Sequence, residues 1–135
     1  MVASDAPTLR HELLSIIDGP GVTTYQAVSG LAAIAAVRDH EPDLLVVDMQ
    51  MSNMGGMAVC LELRLEASYG KLEHVPVLML LDRRPDVFLA RRSGAEGWVV
   101  KPLDPMRLRR ATSALVSGEI YHDDSFLPLA AQAPE

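Results

Sequence analysis

Apolar residues along the chain follow two rhythms. Short unbroken runs, chiefly residues 44–47 and 75–81, alternate with longer stretches in which apolar positions recur every three or four residues. A run of the first kind has no polar face to give to water and predicts a strand buried on both sides. A stretch of the second kind predicts a helix with one face turned inward. Their alternation reads as an α/β fold, a parallel sheet covered by crossover helices.

Five strands are predicted, at residues 1–4, 23–28, 44–47, 75–81 and 98–100, together with five helices. The first helix follows Asp5, a capping residue, and Pro7, which suits a first turn; its stripe is Leu9, Leu13, Ile16 and Ile17. Ser29 caps the second, with Leu31, Ile34, Ala35 and Val37 inward. The third runs from Met57 to about Ala67 behind Gly55-Gly56, and the fourth covers residues 86–92. Asp104-Pro105 opens the fifth, whose inward positions are Leu108, Ala111 and Leu115. Past Gly118 the period fades, which predicts a domain at residues 1–117 and a C-terminal tail or connector at 118–135.

Composition narrows the class. A chain of 135 residues suits a single domain, and 18 acidic against 12 basic side chains, a net charge of −6, argue against a dedicated nucleic-acid binder or a basic membrane-surface protein. The single Cys60 closes no internal bridge, and His11, His40, His74 and His122 are scattered without zinc-site spacing. The longest apolar run, residues 75–81, contains Pro76 and is too short for a bilayer, and the first residues do not read as a signal peptide. A cytoplasmic protein that contacts small molecules and other proteins, with neither nucleic acid nor membrane bound by this domain, is the expectation. Cys60 and the methionines around it, at helical spacing, are assigned to packing.

Charge is unevenly placed. Residues 1–68 carry nine acids and three bases, whereas residues 83–110 hold eight bases against three acids. Arg83, Arg84, Arg91, Arg92, Arg107, Arg109 and Arg110 therefore predict a basic face that would dock an acidic protein partner.

Candidate chemistry lies at strand ends, because ligands of open α/β sheets gather beyond the carboxyl edge. Asp5 follows the first strand, Asp48 the third and Lys101 the fifth, two carboxylates and an ammonium that suit Mg²⁺ and a phosphoryl group.

The stretch PDLLVVDMQMSNMGGM at residues 42–57 resembles the signature of response regulator receiver domains of bacterial two-component systems, a strand ending in a phosphoacceptor Asp and then a Met-Pro-x-Met-Asp-Gly loop. Ser52 replaces the Pro of that loop and Gly55 its Asp. VPVL at residues 75–78 and GAEGWVVKP at 94–102 resemble the fourth strand and the Lys-Pro stretch of the same family, and the likeness covers roughly residues 1–117. It implies a flavodoxin-like, doubly wound five-stranded sheet of order 2-1-3-4-5. The first strand is then central, and residues 1–4 are short for it, which predicts that the natural chain begins a few residues earlier or that the domain is marginally stable.

The resemblance also implies a phosphoacceptor signalling domain rather than an enzyme, with Mg²⁺-dependent self-phosphorylation from small donors. Asp48 would take the phosphoryl group from a histidine kinase or phosphotransfer protein, aided by Lys101. Asp5, Asp48 and the backbone carbonyl of Gln50 would hold a weakly bound Mg²⁺, with Ser4 contributing through a water. Output would pass through the face of helix 4, strand 5 and helix 5 to an output protein, a second receiver or a second copy of this chain.

The departures define an atypical member. Ser4-Asp5 stands where the family has two acids, and Leu81-Asp82 where it has Thr or Ser followed by a small residue. Leu81 has no hydroxyl to meet a phosphoryl oxygen, while Trp98 keeps the switch aromatic. Asp82 would disfavour a neighbouring phosphoaspartate unless it points away or helps hold the metal. Two alternatives follow: a phosphorylation-independent pseudo-receiver that acts as a protein-binding module, and a haloacid-dehalogenase-like phosphatase, for which Gln50 stands where the general acid is required.

Overall fold

The computed structural model describes residues 1–123. In chain order it contains β1 (Val2–Ala3), α1 (Pro7–Ile17), β2 (Gln26–Ala27), α2 (Gly30–His40), β3 (Leu45–Asp48) and α3 (Gly56–Ser68). There follow β4 (Val77–Leu81), a 3₁₀ turn (Arg84–Asp86), α4 (Val87–Ser93), β5 (Gly97–Val100), α5 (Pro105–Val116) and β6 (Tyr121–His122). All neighbouring strands are parallel, in the order β2-β1-β3-β4-β5-β6.

The alternation of side chains along each strand divides the core into two layers. Val47, Met79, Leu81 and Trp98 face Ile34, Val37, Val59, Leu63 and Ala90 of α2, α3 and α4. Val46, Leu78, Leu80 and Val99 face Leu13 of α1 and Leu108, Ala111 and Leu115 of α5. β3 and β4, buried along their whole length, are the central strands that their unbroken apolar runs require.

Four expectations are corrected. The sheet has six strands rather than five, because the chain turns back after α5 and lays Tyr121–His122 beside β5. The extended pairing of β2 is confined to Gln26–Ala27, within the broader stretch 23–28. Asp5 does not cap α1, whose cap position is Ala6; the Asp5 carboxylate instead accepts the Ser52 N–H at 2.8 Å. Leu31 and Ala35 are exposed, Leu31 at 59%, and α2 buries Gly30, Ala33, Ile34 and Val37.

The last correction has a backbone cause. Leu31 N–H donates to the Asn53 carbonyl at 3.0 Å, so the loop after β3 sits on the first turn of α2. A Cβ at position 30 would stand 1.9 Å from the Met54 carbonyl oxygen. Gly30 thus holds the buried position in that turn and leaves Leu31 facing out. The cap is as expected, with Ser29 Oγ accepting from Ala32 N–H at 3.1 Å. Of the stretch read as a tail, residues 124–135 lie outside the described residues.

Candidate functional site

Asp48 closes β3, and its register partner Leu80 lies next to the end of β4. The Lys101 N–H donates to the Leu81 carbonyl at 2.8 Å, so the ends of β4 and β5 are tied by backbone at the point where their side chains turn into the site. Gly56 permits the close packing beneath: a Cβ there would lie 2.7 Å from the Asp48 carbonyl oxygen.

The Asp48 carboxylate is nearly enclosed, its side chain 5% exposed, and both oxygens are engaged. Lys101 Nζ donates to Oδ1 at 2.8 Å, and Ser4 Oγ donates to Oδ2 at 2.9 Å. Ser4 Oγ in turn accepts the Ala6 N–H at 3.1 Å. Burying an unpaired carboxylate is costly, and these two donors compensate for it. Lys101 makes a second ion pair, to Asp82 Oδ1 at 2.9 Å. Burial opposes the charge on Lys101, but the hydrogen bonds to Asp48 and Asp82 outweigh it and hold the ammonium above its ordinary range.

Of the sequence-predicted residues, Ser4, Asp48, Asp82 and Lys101 therefore form one hydrogen-bonded chain. Asp5 is exposed and bound to the Ser52 N–H, on the loop that also contains Gln50. Asp82 neither points away from the site nor stands apart from its cation. Among the described residues, no group of three or more His, Cys, Asp or Glu is arranged to hold a metal ion. The ligands that the sequence suggests, Asp5, Asp48 and the Gln50 carbonyl, are oxygen donors throughout. That set suits a hard cation that keeps several of its waters.

Trp98 is buried in the layer that contains Leu81, and its indole Nε1 has no hydrogen-bond partner among the described residues. His122 stacks on it with ring centroids 3.9 Å apart, and the Arg91 guanidinium lies 5.3 Å from its centroid. The next residue, Asp123, is 2% exposed; its Oδ2 accepts the Val100 N–H at 2.9 Å, and its Oδ1 lies 3.7 Å from Arg107 Nε. His122 and Asp123 were not among the candidates.

The basic face is partly committed to the fold. Arg83 pairs with the buried Asp86 at 3.0 Å, Arg91 lies over Trp98, and Arg107 reaches Asp123. Arg84, Arg92, Arg109 and Arg110 are exposed. Phe88 and Met106, at 78% and 61% exposure, add apolar area to α4 and α5.

Residues 1–113 match the family described as the response regulator receiver domain. The chain belongs to that family. A DNA-binding response regulator, MtrA, from Mycolicibacterium smegmatis is 34% identical over 110 residues, 80% of this chain and 46% of that protein. This receiver chain thus spans about half the length of the curated relative it matches. The signal receiver domain of a histidine kinase from Syntrophus aciditrophicus superposes with a TM-score of 0.77 at 28% identity, over 87% of this chain and 88% of that one. A LuxR-family response regulator from Aurantimonas sp. SI85-9A1 has a TM-score of 0.81 over 93% of this chain and 89% of that one; at 22% identity it supports the flavodoxin-like receiver fold alone. No helix among the described residues of the receiver is long and apolar enough to cross a membrane.

Proposed function

We propose that this receiver accepts a phosphoryl group on Asp48 from a histidine kinase or phosphotransfer protein and signals through the α4, β5 and α5 face. The observation that carries this reading is the buried Asp48–Lys101 pair at the carboxyl edge of a receiver sheet. An Asp48 carboxylate oxygen attacks phosphorus in line. The bond from phosphorus to the donor's nitrogen or oxygen breaks, and its electron pair leaves with the donor. Lys101 sets its ammonium against the charge on the transferred group, and Ser4 orients the other carboxylate oxygen. Asp5, Asp48 and the Gln50 carbonyl would hold Mg²⁺, which supplies further positive charge to the phosphoryl oxygens. The Ser4 hydroxyl donates a hydrogen bond to Asp48 and keeps its proton, and its oxygen could still meet a metal-bound water.

Residues 1–117 are the receiver domain in this reading, and β6 of the stretch that follows lies on its sheet beside β5. The exposed Arg84, Arg92, Arg109 and Arg110, beside Phe88 and Met106, suit an acidic partner with apolar anchors, whether an output protein, another receiver or a second copy. A cytoplasmic setting follows from the kinase partner.

A second reading has its own support. Leu81 is fully buried and offers no hydroxyl, and both Asp48 oxygens already have protein partners. Those features favour a pseudo-receiver that binds partners without phosphorylation. Intact mass after incubation with acetyl phosphate and Mg²⁺ separates the two. A gain of one phosphoryl group that vanishes in Asp48→Asn and under chelation supports the first reading; no gain in the wild-type chain supports the second.

A further inference from the structure

Lys101 is shared between two carboxylates, of which the phosphoryl reading uses only Asp48. Asp82 Oδ1 takes the ammonium at 2.9 Å, against 2.8 Å for Asp48 Oδ1. Asp82 follows the last residue of β4, and Lys101 follows the last residue of β5. The backbone bond from Lys101 N–H to the Leu81 carbonyl fixes these two positions relative to each other. The contact is therefore built by the sheet and closed by one short acidic side chain, with little freedom to lose.

We infer that Asp82 is a positioning residue that competes with an incoming phosphoryl group for Lys101, so that Asp48 is loaded against a resident counter-charge. The argument rests on the reading of Asp48 as the acceptor. Two carboxylates and one ammonium leave the cluster one negative charge in excess, and a dianionic phosphoryl group on Asp48 raises that excess to two. Two of the three Lys101 N–H donors are engaged by Asp48 and Asp82, so the phosphoryl oxygens meet an ammonium whose charge is already shared, and they gain its full pull only as the Asp82 carboxylate gives up its share. Asp82 has the means to do so, since its side chain is 38% exposed and water can take over its solvation, whereas Asp48 at 5% has no such route. Asp82 thus sets a threshold: small, weakly bound donors meet a closed ion pair, and a donor protein that brings its own binding energy opens it.

The test uses the full chain with acetyl phosphate and Mg²⁺ at low ionic strength, following the rate of phosphoryl gain by intact mass. Asp82→Asn keeps the shape and removes the charge, and it should load about tenfold faster than wild type, the order expected for one partly screened charge a few ångströms away. Asp82→Glu, which restores the charge, should return most of the way to the wild-type rate. The ratio between Asp82→Asn and wild type should fall toward one in roughly 1 M NaCl, where screening shortens to about 3 Å. A rearranged loop would not give that salt dependence.

A metal-free readout tests the same competition. With chelator present, inorganic phosphate titrated against the Lys101 ammonium resonance should bind about fivefold more tightly to Asp82→Asn than to wild type. Equal or slower loading in Asp82→Asn, with loading still dependent on Asp48, overturns the role of Asp82 and leaves the acceptor standing. No loading in any variant overturns the acceptor reading, and this inference with it.

Discussion

The indole of Trp98 and the imidazole of His122 lie ring on ring, their centroids 3.9 Å apart and their planes 7° from parallel. Trp98 is 1% exposed although it belongs to the last but one strand of the sheet, because β6 lies beside it. The sixth strand is held by few groups. Tyr121 N–H donates to Glu96 O at 3.1 Å, Asp123 N–H donates to Trp98 O at 3.2 Å, and the Asp123 carboxylate takes the Val100 N–H. Asp123→Ala should leave that N–H and the Arg107 charge without their acid, at a cost of about 1–3 kcal/mol. Urea unfolding gives the loss, and faster amide exchange at Val100 locates it. His122→Ala should shift Trp98 emission to the red at a smaller cost, since it removes cover and no strand hydrogen bond.

Leu81 fills the layer beside Trp98 with no exposed surface. Leu81→Thr restores the hydroxyl that the family carries there, at the expense of two carbons of core volume. It should lower stability by about 1–3 kcal/mol, from lost packing and a buried hydroxyl. The gain should appear as Trp98 emission that responds to acetyl phosphate and Mg²⁺ more strongly than in the wild-type chain. An unaltered response would mean that the hydroxyl alone does not couple the site to Trp98.

Ser4 sits fully buried against Asp48 where the family places an acid. Ser4→Asp adds a charge to the cation donors and should tighten Mg²⁺ binding about tenfold, as read by calorimetry, on the order of 1.4 kcal/mol. The same change should lower the urea midpoint in chelating buffer, where two carboxylates would face each other without the Ser4 proton between them.

Cys60 is buried, and its Sγ donates to the Ser93 carbonyl at 3.3 Å. Burial pushes the thiol above its ordinary range, against the opposing pull of the Arg64 guanidinium. The folded chain therefore keeps its proton at a pH where the unfolded chain has lost it. The thiol's contribution to stability is fully present below about pH 8.5, the unfolded value, and is lost as pH rises through the higher folded value. The stability difference between wild type and Cys60→Ala should narrow from pH 8 to pH 10, and iodoacetamide should label Cys60 in the native chain far more slowly than in urea.

What sequence made legible was local. β3 with Asp48 at its end, β4, and the Lys-Pro step after β5 could be read because an unbroken apolar run and the residue that stops it are adjacent in the chain. Lys101 reaching Asp48 follows from parallel strands that end at one edge. The partner of Asp82 did not follow, because a pairing across 19 residues depends on which way two strand ends turn. β6 was missed for a similar reason: two residues are too few to show an alternation, and the strand it pairs with, β5, lies more than twenty residues away in the chain. One signal was present in Gly97, a glycine within a strand, where a Cβ would meet the Tyr121 carbonyl oxygen at 2.7 Å. The inward assignment of Leu31 failed because a helical stripe fixes spacing and not phase, and the phase of α2 is set by Gly30 under the Met54 carbonyl.

The direction of β6 decides where the described polypeptide is delivered. α5 leads away from the Lys101 end of β5, and Tyr121 meets the sheet at its opposite margin, beside Gly97. Because β6 then runs parallel to β5, it retraces that distance and sets Asp123 against Val100, one residue from Lys101. The backbone thus makes a round trip and returns to the edge of the sheet at which Asp48 closes β3. A segment joined after Asp123 would have its root at the carboxyl edge of the sheet, one strand over from Lys101, where one joined directly to α5 would start a full strand length away.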